Sequence, residues 1–138
     1  MEITLATPCH TDTIQHFDRH IPPDRLRECI CNNQIYILSD NTQVIGYLRF
    51  SLFWQTNPFL DLIYLDSNWR GQGWGTSMMR FWEEAMALQG YRYVMLSTQE
   101  DETAKYFYEK LGYKMAGSFL PPEQPVPELI YWKEIKPE

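Results

Sequence analysis

The sequence predicts an α/β fold built on a mixed, mostly antiparallel sheet of six or seven strands with flanking helices. In the first half, apolar residues recur at every second position in short runs joined by turn residues, which indicates an antiparallel meander. In the second half, two amphipathic helices separate further strands, and a strand–helix–strand unit implies one parallel pair. The length of 138 residues suits one domain, which we expect to span residues 1–138.

The first half of the chain is expected to form a strand, two helices and three further strands. Polar and apolar residues alternate at the start, and Pro22-Pro23 precedes the second helix. The polar run Ser39–Thr42 is typical of a hairpin turn. The expected bounds are residues 2–6 (strand), 11–19 and 23–32 (helices), and 35–38, 43–53 and 60–65 (strands).

The second half is expected to alternate helices with strands. Its first helix carries one apolar stripe that includes Met78, Met79 and Trp82, and Gly90 follows where a C-terminal cap belongs. The second helix is also amphipathic, and Gly112 marks its end. The expected bounds are residues 75–89 and 101–111 (helices), and 92–97, 113–119 and 129–135 (strands).

Composition and charge exclude several classes of protein. Twelve Lys and Arg against 18 Asp and Glu give a net charge of −6, and the basic residues are scattered, so we expect no nucleic-acid partner. No apolar run approaches the roughly 20 residues of a membrane helix, and the N-terminus does not resemble a signal peptide. We therefore expect a cytoplasmic protein without a membrane partner. An acidic surface suits a cationic substrate such as an amine, and it equally serves solubility.

The cysteines and histidines do not predict a metal site or a disulfide framework. Cys29 and Cys31 are two positions apart, which suits neither a zinc knuckle nor a thioredoxin-type motif. His16 and His20 would share a helix face, but no carboxylate–histidine signature accompanies them. We expect no metal.

The most informative segment is residues 70–76, Arg-Gly-Gln-Gly-Trp-Gly-Thr, between a predicted strand and a predicted helix. Glycines at alternate positions leave backbone N–H groups uncovered, and a helix N-terminus attracts anions, so the pattern indicates a phosphate or pyrophosphate site. A plain glycine-rich turn is the simpler interpretation, but it does not explain the bracketing Arg70 and Thr76. No lysine follows the glycines as in a Walker loop, and Thr76 replaces the last glycine of a dinucleotide fingerprint.

The spacing Arg70-x-x-Gly73-x-Gly75 resembles the acetyl-CoA loop of the GNAT superfamily of N-acetyltransferases. A second segment, Ala104–Tyr113, resembles the other signature of that family, an alanine followed by F-Y-x-K-L-G-F/Y. The two segments lie about thirty residues apart, and the predicted element order is similar to the GNAT fold over nearly the whole chain. The resemblance implies an acetyl-CoA-dependent N-acetyltransferase in which the amine attacks directly within a ternary complex.

The resemblance also implies which residues bind acetyl-CoA. The pantetheine arm would pair like an added strand with the backbone of the strand before the loop, where that strand splays from its neighbour. Amides of the loop would hold the pyrophosphate, and Trp74 would contribute only its backbone. Asp101 stands where the family often has an asparagine that contacts pantetheine, so this contact is expected to differ. The implied acetyl-CoA-binding residues are Ile63, Tyr64, Leu65, Arg70, Gly71, Gln72, Gly73, Trp74, Gly75, Thr76, Asp101 and Ala104.

Two residues are implied as catalytic. Tyr108 matches the tyrosine that protonates the departing CoA thiolate, and its other interpretation is a core aromatic. Asp61 interrupts an apolar strand and is the candidate base that removes a proton from the amine, with Glu100 in reserve. A merely solvated aspartate is the alternative for Asp61.

The acceptor is expected to be a small-molecule amine. Its selectivity would come from three segments, His20–Pro23, Phe53–Asn57 and Pro121–Pro127, which offer aromatic and acidic side chains. A protein or peptide N-acetyltransferase and a non-catalytic acyl-CoA-binding module are the alternatives. The sequence leaves the oligomeric state open, a homodimer included.

Overall fold

The computed structural model describes residues 1–135, and in this range seven strands and four α-helices follow one another. The strands are β1 (Glu2–Leu5), β2 (Ile35–Asp40), β3 (Gln43–Phe53), β4 (Asn57–Leu65), β5 (Tyr93–Gln99), β6 (Lys114–Phe119) and β7 (Glu128–Glu134). The helices are α1 (Thr11–Phe17), α2 (Pro23–Cys31), α3 (Trp74–Leu88) and α4 (Ala104–Lys110). The end of the predicted 1–138 domain, residues 136–138, lies outside the described residues.

The strands form one seven-stranded sheet in the order β1-β2-β3-β4-β5-β7-β6. β4 and β5 run parallel, with Phe59 opposite Met95 and Leu60 opposite Leu96. The pairs β1–β2, β2–β3, β5–β7 and β6–β7 are antiparallel. The predicted mixed sheet with one parallel pair is therefore confirmed, and it has seven strands, the higher of the two predicted numbers.

Residue contacts divide the chain into two compact units. The first unit consists of Met1–Ser51 and Leu62–Trp82, and the second consists of Leu52–Asp61 and the chain from Glu83 onward. In the first unit, one face of the sheet packs against α1 and α2 through buried apolar side chains, namely Ile14, Leu26, Ile30, Ile35, Ile37 and Tyr47. The opposite face packs against α3, where the Phe50 and Trp82 rings lie 5.8 Å apart.

A buried ion pair holds the segment between α1 and α2 against β3 in the first unit. The Asp18 side chain belongs to a residue that is 1% exposed. Its Oδ2 accepts a hydrogen bond from Nε of Arg49 at 3.1 Å and lies 3.1 Å from Nη2 of the same arginine. The same carboxylate accepts the His20 N–H at 3.3 Å through Oδ1. Helix α1 was expected to continue to residue 19, and this is wrong: it ends at Phe17 because Asp18 leaves the helix with an extended ψ of 92°.

The second unit has its own buried polar cluster on the face that packs against α4. The Glu83 carboxylate accepts hydrogen bonds from the Tyr113 hydroxyl at 2.7 Å and from Nζ of Lys133 at 2.8 Å. On the same face, the Tyr131 hydroxyl donates to Glu109 of α4 at 2.9 Å. These bonds connect the C-terminal half of α3, the residue before β6, strand β7 and helix α4, and they fix the positions of these elements within the unit.

Strand β2 continues to Asp40, into the predicted turn, and β5 continues to Gln99. Two elements start three residues from their expected positions, for local reasons. Helix α4 starts at Ala104 and not at residue 101, because the Glu102 N–H bonds to the Gln99 carbonyl in a turn. Strand β4 starts at Asn57 and not at residue 60, because the β3–β4 turn has Trp54 and Gln55 as its central residues and closes with the Thr56 N–H donating to the Phe53 carbonyl at 3.0 Å. Both of these turn residues have positive φ, 56° and 60°, which matches the twist of a two-residue hairpin.

We predict that Gly46→Ala destabilises the protein, by about 1–3 kcal/mol. A Cβ at Gly46 would lie 2.8 Å from the Tyr64 carbonyl oxygen and 3.2 Å from Cδ1 of Leu65, so the backbone of β4 must shift. Urea unfolding measures the change. Gly117→Ala is the matched control, because a Cβ there meets no atom within 4 Å. Equal stability of the Gly46 and Gly117 variants would contradict the prediction.

Candidate active site

The glycine segment forms a left-handed turn directly before α3. Gly71 and Gly73 have φ values of 74° and 92°, a conformation that L side chains rarely adopt. The Ser77 N–H of α3 donates a hydrogen bond to the Gly73 carbonyl at 3.1 Å, so the carbonyl of this glycine takes part in the first turn of the helix. Since the first N–H groups of a helix have no intrahelical partner, the turn presents donors and the positive end of the helix dipole to an anion.

Arg70 fixes the start of this turn to the end of β4. Its Nε donates to the Leu65 carbonyl at 2.7 Å, and its guanidinium carbon lies 5.9 Å from the centre of the Tyr64 ring. Gln72 reaches back to the Asn68 carbonyl at 3.2 Å. The side chains of Arg70 and Gln72 therefore brace the loop, and the exposed Arg70 guanidinium lies beside the turn.

The backbone of β4 presents alternate residues to its two edges. The Asp66 N–H donates to the Ile45 carbonyl of β3 at 2.8 Å. By alternation, the N–H and C=O groups of Ile63 and Leu65 point to the edge away from β3. The Tyr64 carbonyl instead lies against Gly46 of β3. The predicted pairing of pantetheine with Ile63 and Leu65 is thus compatible with the edge they occupy.

Tyr64 itself lies in the core of the first unit. Its ring stacks on Phe17 at 5.0 Å between centroids and lies 5.6 Å from the Tyr47 ring. Burial and the neighbouring Asp18 carboxylate raise the pKa of Tyr47 above its ordinary value. The ring of Tyr64 packs in the first unit and its carbonyl faces β3, so neither lies at the outer edge of β4, and the contact of Tyr64 with acetyl-CoA stays a prediction.

Tyr108 lies on the buried side of α4 in the second unit. It is 7% exposed, and its ring packs against Phe107 at 5.3 Å and Tyr113 at 6.1 Å. Burial, with a smaller contribution from the negative charge of Glu102, raises the pKa of Tyr108 to about 12. The hydroxyl is consequently protonated throughout the neutral pH range and is available there as a hydrogen-bond donor.

Asp61 lies on the opposite face of the second unit's sheet. In β4 the buried residues are Pro58 and Leu60, so Asp61 shares the other face with Asn57 and Phe59 and is exposed. The structure therefore places the candidate base and Tyr108 on different faces.

The other candidates of the second unit surround the turn after β5. Glu100 and Asp101 are exposed, and Ala104 is the half-buried first residue of α4. The Lys105 ammonium donates to the Glu100 carbonyl at 2.7 Å. The Glu100 N–H in turn donates to the Pro127 carbonyl at 2.9 Å, which attaches the proline-rich loop to this turn.

Two cavities lie at positions relevant to an acceptor. The first unit has one of about 600 Å³ that includes the predicted His20–Pro23 segment together with Asp12, Gln15, His16 and Arg19. The second unit has one of about 340 Å³, lined by Asn57, Tyr93, Met95, Ala116 and Trp132. Sequence reasoning missed this second cavity. The sequence contains a signal for this cavity, because β5 and β7 carry large apolar residues on both faces, whereas a solvent-exposed face would be polar.

No group of three or more His, Cys, Asp or Glu side chains within residues 1–135 is arranged to hold a metal ion. Over the same range, every helix is too short or too polar to cross a membrane.

Solved structures of similar fold cover essentially the whole chain. A GNAT-family acetyltransferase from Bacillus cereus is 21% identical with a TM-score of 0.78, and the match covers 99% of this chain and 98% of that one. The ribosomal-protein-S18-alanine N-acetyltransferase from Escherichia coli is 15% identical with a TM-score of 0.80, over 99% and 95%. An aminoglycoside 6′-N-acetyltransferase solved with coenzyme A is 19% identical with a TM-score of 0.80, over 100% and 99%.

Sequence comparison gives the family. No curated protein sequence matches the chain significantly. The model of the acetyltransferase (GNAT) family matches residues 4–113, which include the strand, turn and helix of the glycine segment and end at the Tyr113 that closes the second signature. The predicted resemblance is confirmed, and this chain belongs to the GNAT family of acetyltransferases.

Proposed function

We propose that this acetyltransferase moves an acetyl group from acetyl-CoA to the primary amine of a small molecule, by direct attack while both substrates are bound. The observation that carries the proposal is the left-handed glycine turn at the start of α3. A Cβ at Gly71 or Gly73 would meet no atom within 4 Å, so the backbone there faces open space. These residues fit a pyrophosphate, since its oxygens need close, uncovered N–H donors.

The chain binds acetyl-CoA mainly through its backbone groups. Acetyl-CoA supplies a thioester, whose carbonyl carbon is the electrophile. The N–H groups of residues 71–76 hold the pyrophosphate, and the outer edge of β4 at Ile63 and Leu65 aligns the pantetheine arm. Because Arg70 already bonds the Leu65 carbonyl, Ile63 is the better placed of the two to accept from the ligand.

Asp61 acts as the base, directly or through water. A primary ammonium has a pKa near 10 and cannot attack until it loses a proton. The exposed position of Asp61 on one face of β4 lets an amine approach from solvent. A nearby carboxylate also attracts the ammonium form, which is the form in solution at neutral pH.

Tyr108 stabilises the leaving thiolate by donating a hydrogen bond. A thiol such as that of CoA has a pKa of about 8.5, well below the value of about 12 for Tyr108. Complete proton transfer from Tyr108 is therefore uphill, and a charge-assisted hydrogen bond is the larger part of its effect. The opposite faces of Asp61 and Tyr108 suit a reaction in which the amine arrives on one side and the thiolate leaves on the other.

The size of the second unit's cavity, which lies on the same sheet face as Asp61, favours a small-molecule acceptor. Its volume of about 340 Å³ falls in the range of small-molecule sites, roughly 300–1,000 Å³. Among the similar structures, the aminoglycoside enzyme is named for a small-molecule acceptor and the S18-alanine enzyme for a protein acceptor. These relatives leave the acceptor class open.

Release of CoA thiol from acetyl-CoA in the presence of a panel of small primary amines tests the proposal. We expect amine-dependent release, and Asp61→Asn should lower it most at neutral pH. Part of the loss should return near pH 10, where more of the amine is already neutral. CoA binding without thiol release for any amine would indicate a non-catalytic module, and release only with peptides would indicate a peptide acetyltransferase.

We predict that Gly73→Val lowers the affinity for CoA at least tenfold. Valine resists a φ of 92°, so the turn must change and its N–H groups leave the pyrophosphate. Calorimetric titration with CoA measures the effect. Gly117→Val is the control, because Gly117 is open and lies in strand β6, where valine is well tolerated. Unchanged CoA affinity in a folded Gly73→Val protein would rule out the glycine turn as the pyrophosphate site.

We predict that Tyr108→Phe lowers kcat by a factor of about 10² or more, because only the hydroxyl is lost. The melting temperature and CoA affinity should change little, since the ring and its packing remain. Tyr106→Phe on the same helix is the control, because Tyr106 is 57% exposed. Since the pKa of Tyr108 is about 12, its ionisation should not appear in the pH profile below about pH 11. Full activity of Tyr108→Phe would refute this role.

A further inference from the structure

We infer that the apolar cavity of the second unit binds the far end of the acceptor, so that the preferred acceptor is a primary amine carrying an aryl or alkyl group several ångströms from its nitrogen. This inference rests on the proposed function and extends it to a substrate class. The cavity is the one lined by Asn57, Tyr93, Met95, Ala116 and Trp132. We call it the tail pocket.

Sheet register puts the tail pocket on the same face as Asp61. Phe59, two residues before Asp61, lies opposite Met95, and Met95 lies opposite Trp132. Residues paired across strands share a face, so Asp61, Met95 and Trp132 all lie on it. The burial pattern agrees, because the alternate residues Val94, Leu96, Leu129 and Tyr131 are the ones buried toward α4.

The distance from the base to the pocket follows from strand geometry. A strand rises about 3.3 Å per residue, so Phe59 lies about 7 Å and Asn57 about 13 Å from Asp61 along β4. An amine held at Asp61 reaches the tail pocket only if its apolar group is separated from the nitrogen by roughly that span. When a short amine is held at Asp61, it does not reach the tail pocket, which water then fills.

Charge fixes which end of the acceptor enters the tail pocket. The Tyr93 and Trp132 rings form its walls, 5.5 Å apart in a T-shaped arrangement. The Arg92 guanidinium lies 5.3 Å from the Tyr93 ring and the Lys114 ammonium 5.8 Å from the Trp132 ring. These cations disfavour an ammonium at this end, although Arg92 also pairs with Glu134 at 2.7 Å.

The Glu128 carboxylate lies at the opposite end of the same sheet, whereas the Glu134 carboxylate at the tail-pocket end is paired with Arg92. Glu128 lies opposite Gln99 at the last pair of β5 and β7, whereas Tyr93 and Glu134 form the first pair. Asp61 is the carboxylate on β4, at the middle of the strand and four residues after Asn57. An elongated molecule with one cationic and one apolar end is therefore oriented with the cation toward Asp61 and the apolar end in the tail pocket.

The neighbouring hairpin extends the apolar surface. Trp54 is 80% exposed, its ring lies 4.8 Å from Phe53, and the Phe53 ring stacks on Phe59 at 5.9 Å. Trp54 and Gln55 hold positive φ values, 56° and 60°, without a glycine or asparagine to ease the turn. The fold thus keeps a large aromatic side chain in solvent beside the face of the tail pocket, where it can cover a bound apolar group.

A series of phenylalkylamines of increasing chain length tests the inference, with thiol release from acetyl-CoA as the readout. We expect kcat/KM to rise at least tenfold from the shortest amine to the one that reaches the pocket. Ala116→Phe fills the tail pocket and should lower kcat/KM for the long amine to the value for the short amine. Ser118→Phe is the matched control: it adds a phenyl group on the same exposed strand outside the pocket lining, and the gain with chain length should persist.

The outcomes separate the two proposals. If short amines are acetylated but chain length has no effect, or if Ala116→Phe keeps the gain at an unchanged melting temperature, the tail pocket is refuted and the proposed function stands. If no amine of the series is acetylated while CoA binds, the proposed function fails and the inference falls with it. If Ala116→Phe converts a dimer to a monomer in gel filtration, the pocket lies in an interface between copies of the chain, which also overturns the inference.

Discussion

A left-handed turn between β4 and α3 is the constraint on which the rest of the proposed chemistry depends. The chain passes from a strand into a helix through residues 66–73, and only glycine adopts the φ of 74° and 92° at Gly71 and Gly73 without strain. The same absence of side chains leaves the N–H groups at the start of α3 uncovered. In the proposed function, pyrophosphate binding and the change of chain direction therefore depend on the same glycines.

Each compact unit is fixed internally by a buried carboxylate. In the first unit, Asp18 pairs with Arg49 of β3, and in the second, Glu83 accepts from Tyr113 and Lys133. Buried pairs of this kind contribute little net stability, since desolvation offsets the attraction, but removing one partner is costly. Their effect is geometric: they hold α1–α2 on the sheet and the end of α3 against β6 and β7.

The two faces of the second unit's sheet differ in a way that suits acid and base chemistry. The face toward α4 is dry, and burial there keeps the Tyr108 hydroxyl protonated with a pKa of about 12. The other face carries Asp61 and apolar side chains in solvent. A donor belongs in the dry layer, where a hydrogen bond to a developing anion is strong, and a base that meets an incoming ammonium belongs in the accessible one.

The sequence by itself determined the element order, the parallel β4–β5 pair, the family and the loop at residues 70–76, because these depend on local periodicity and on glycine. It also placed Tyr108 on an inward helix face, where the structure has it. Tertiary structure alone decided that Asp18 ends α1 early to pair with Arg49, 31 residues away. It alone brought Met95, Ala116 and Trp132 around one cavity, since sheet register is a long-range property that a single strand's pattern does not contain.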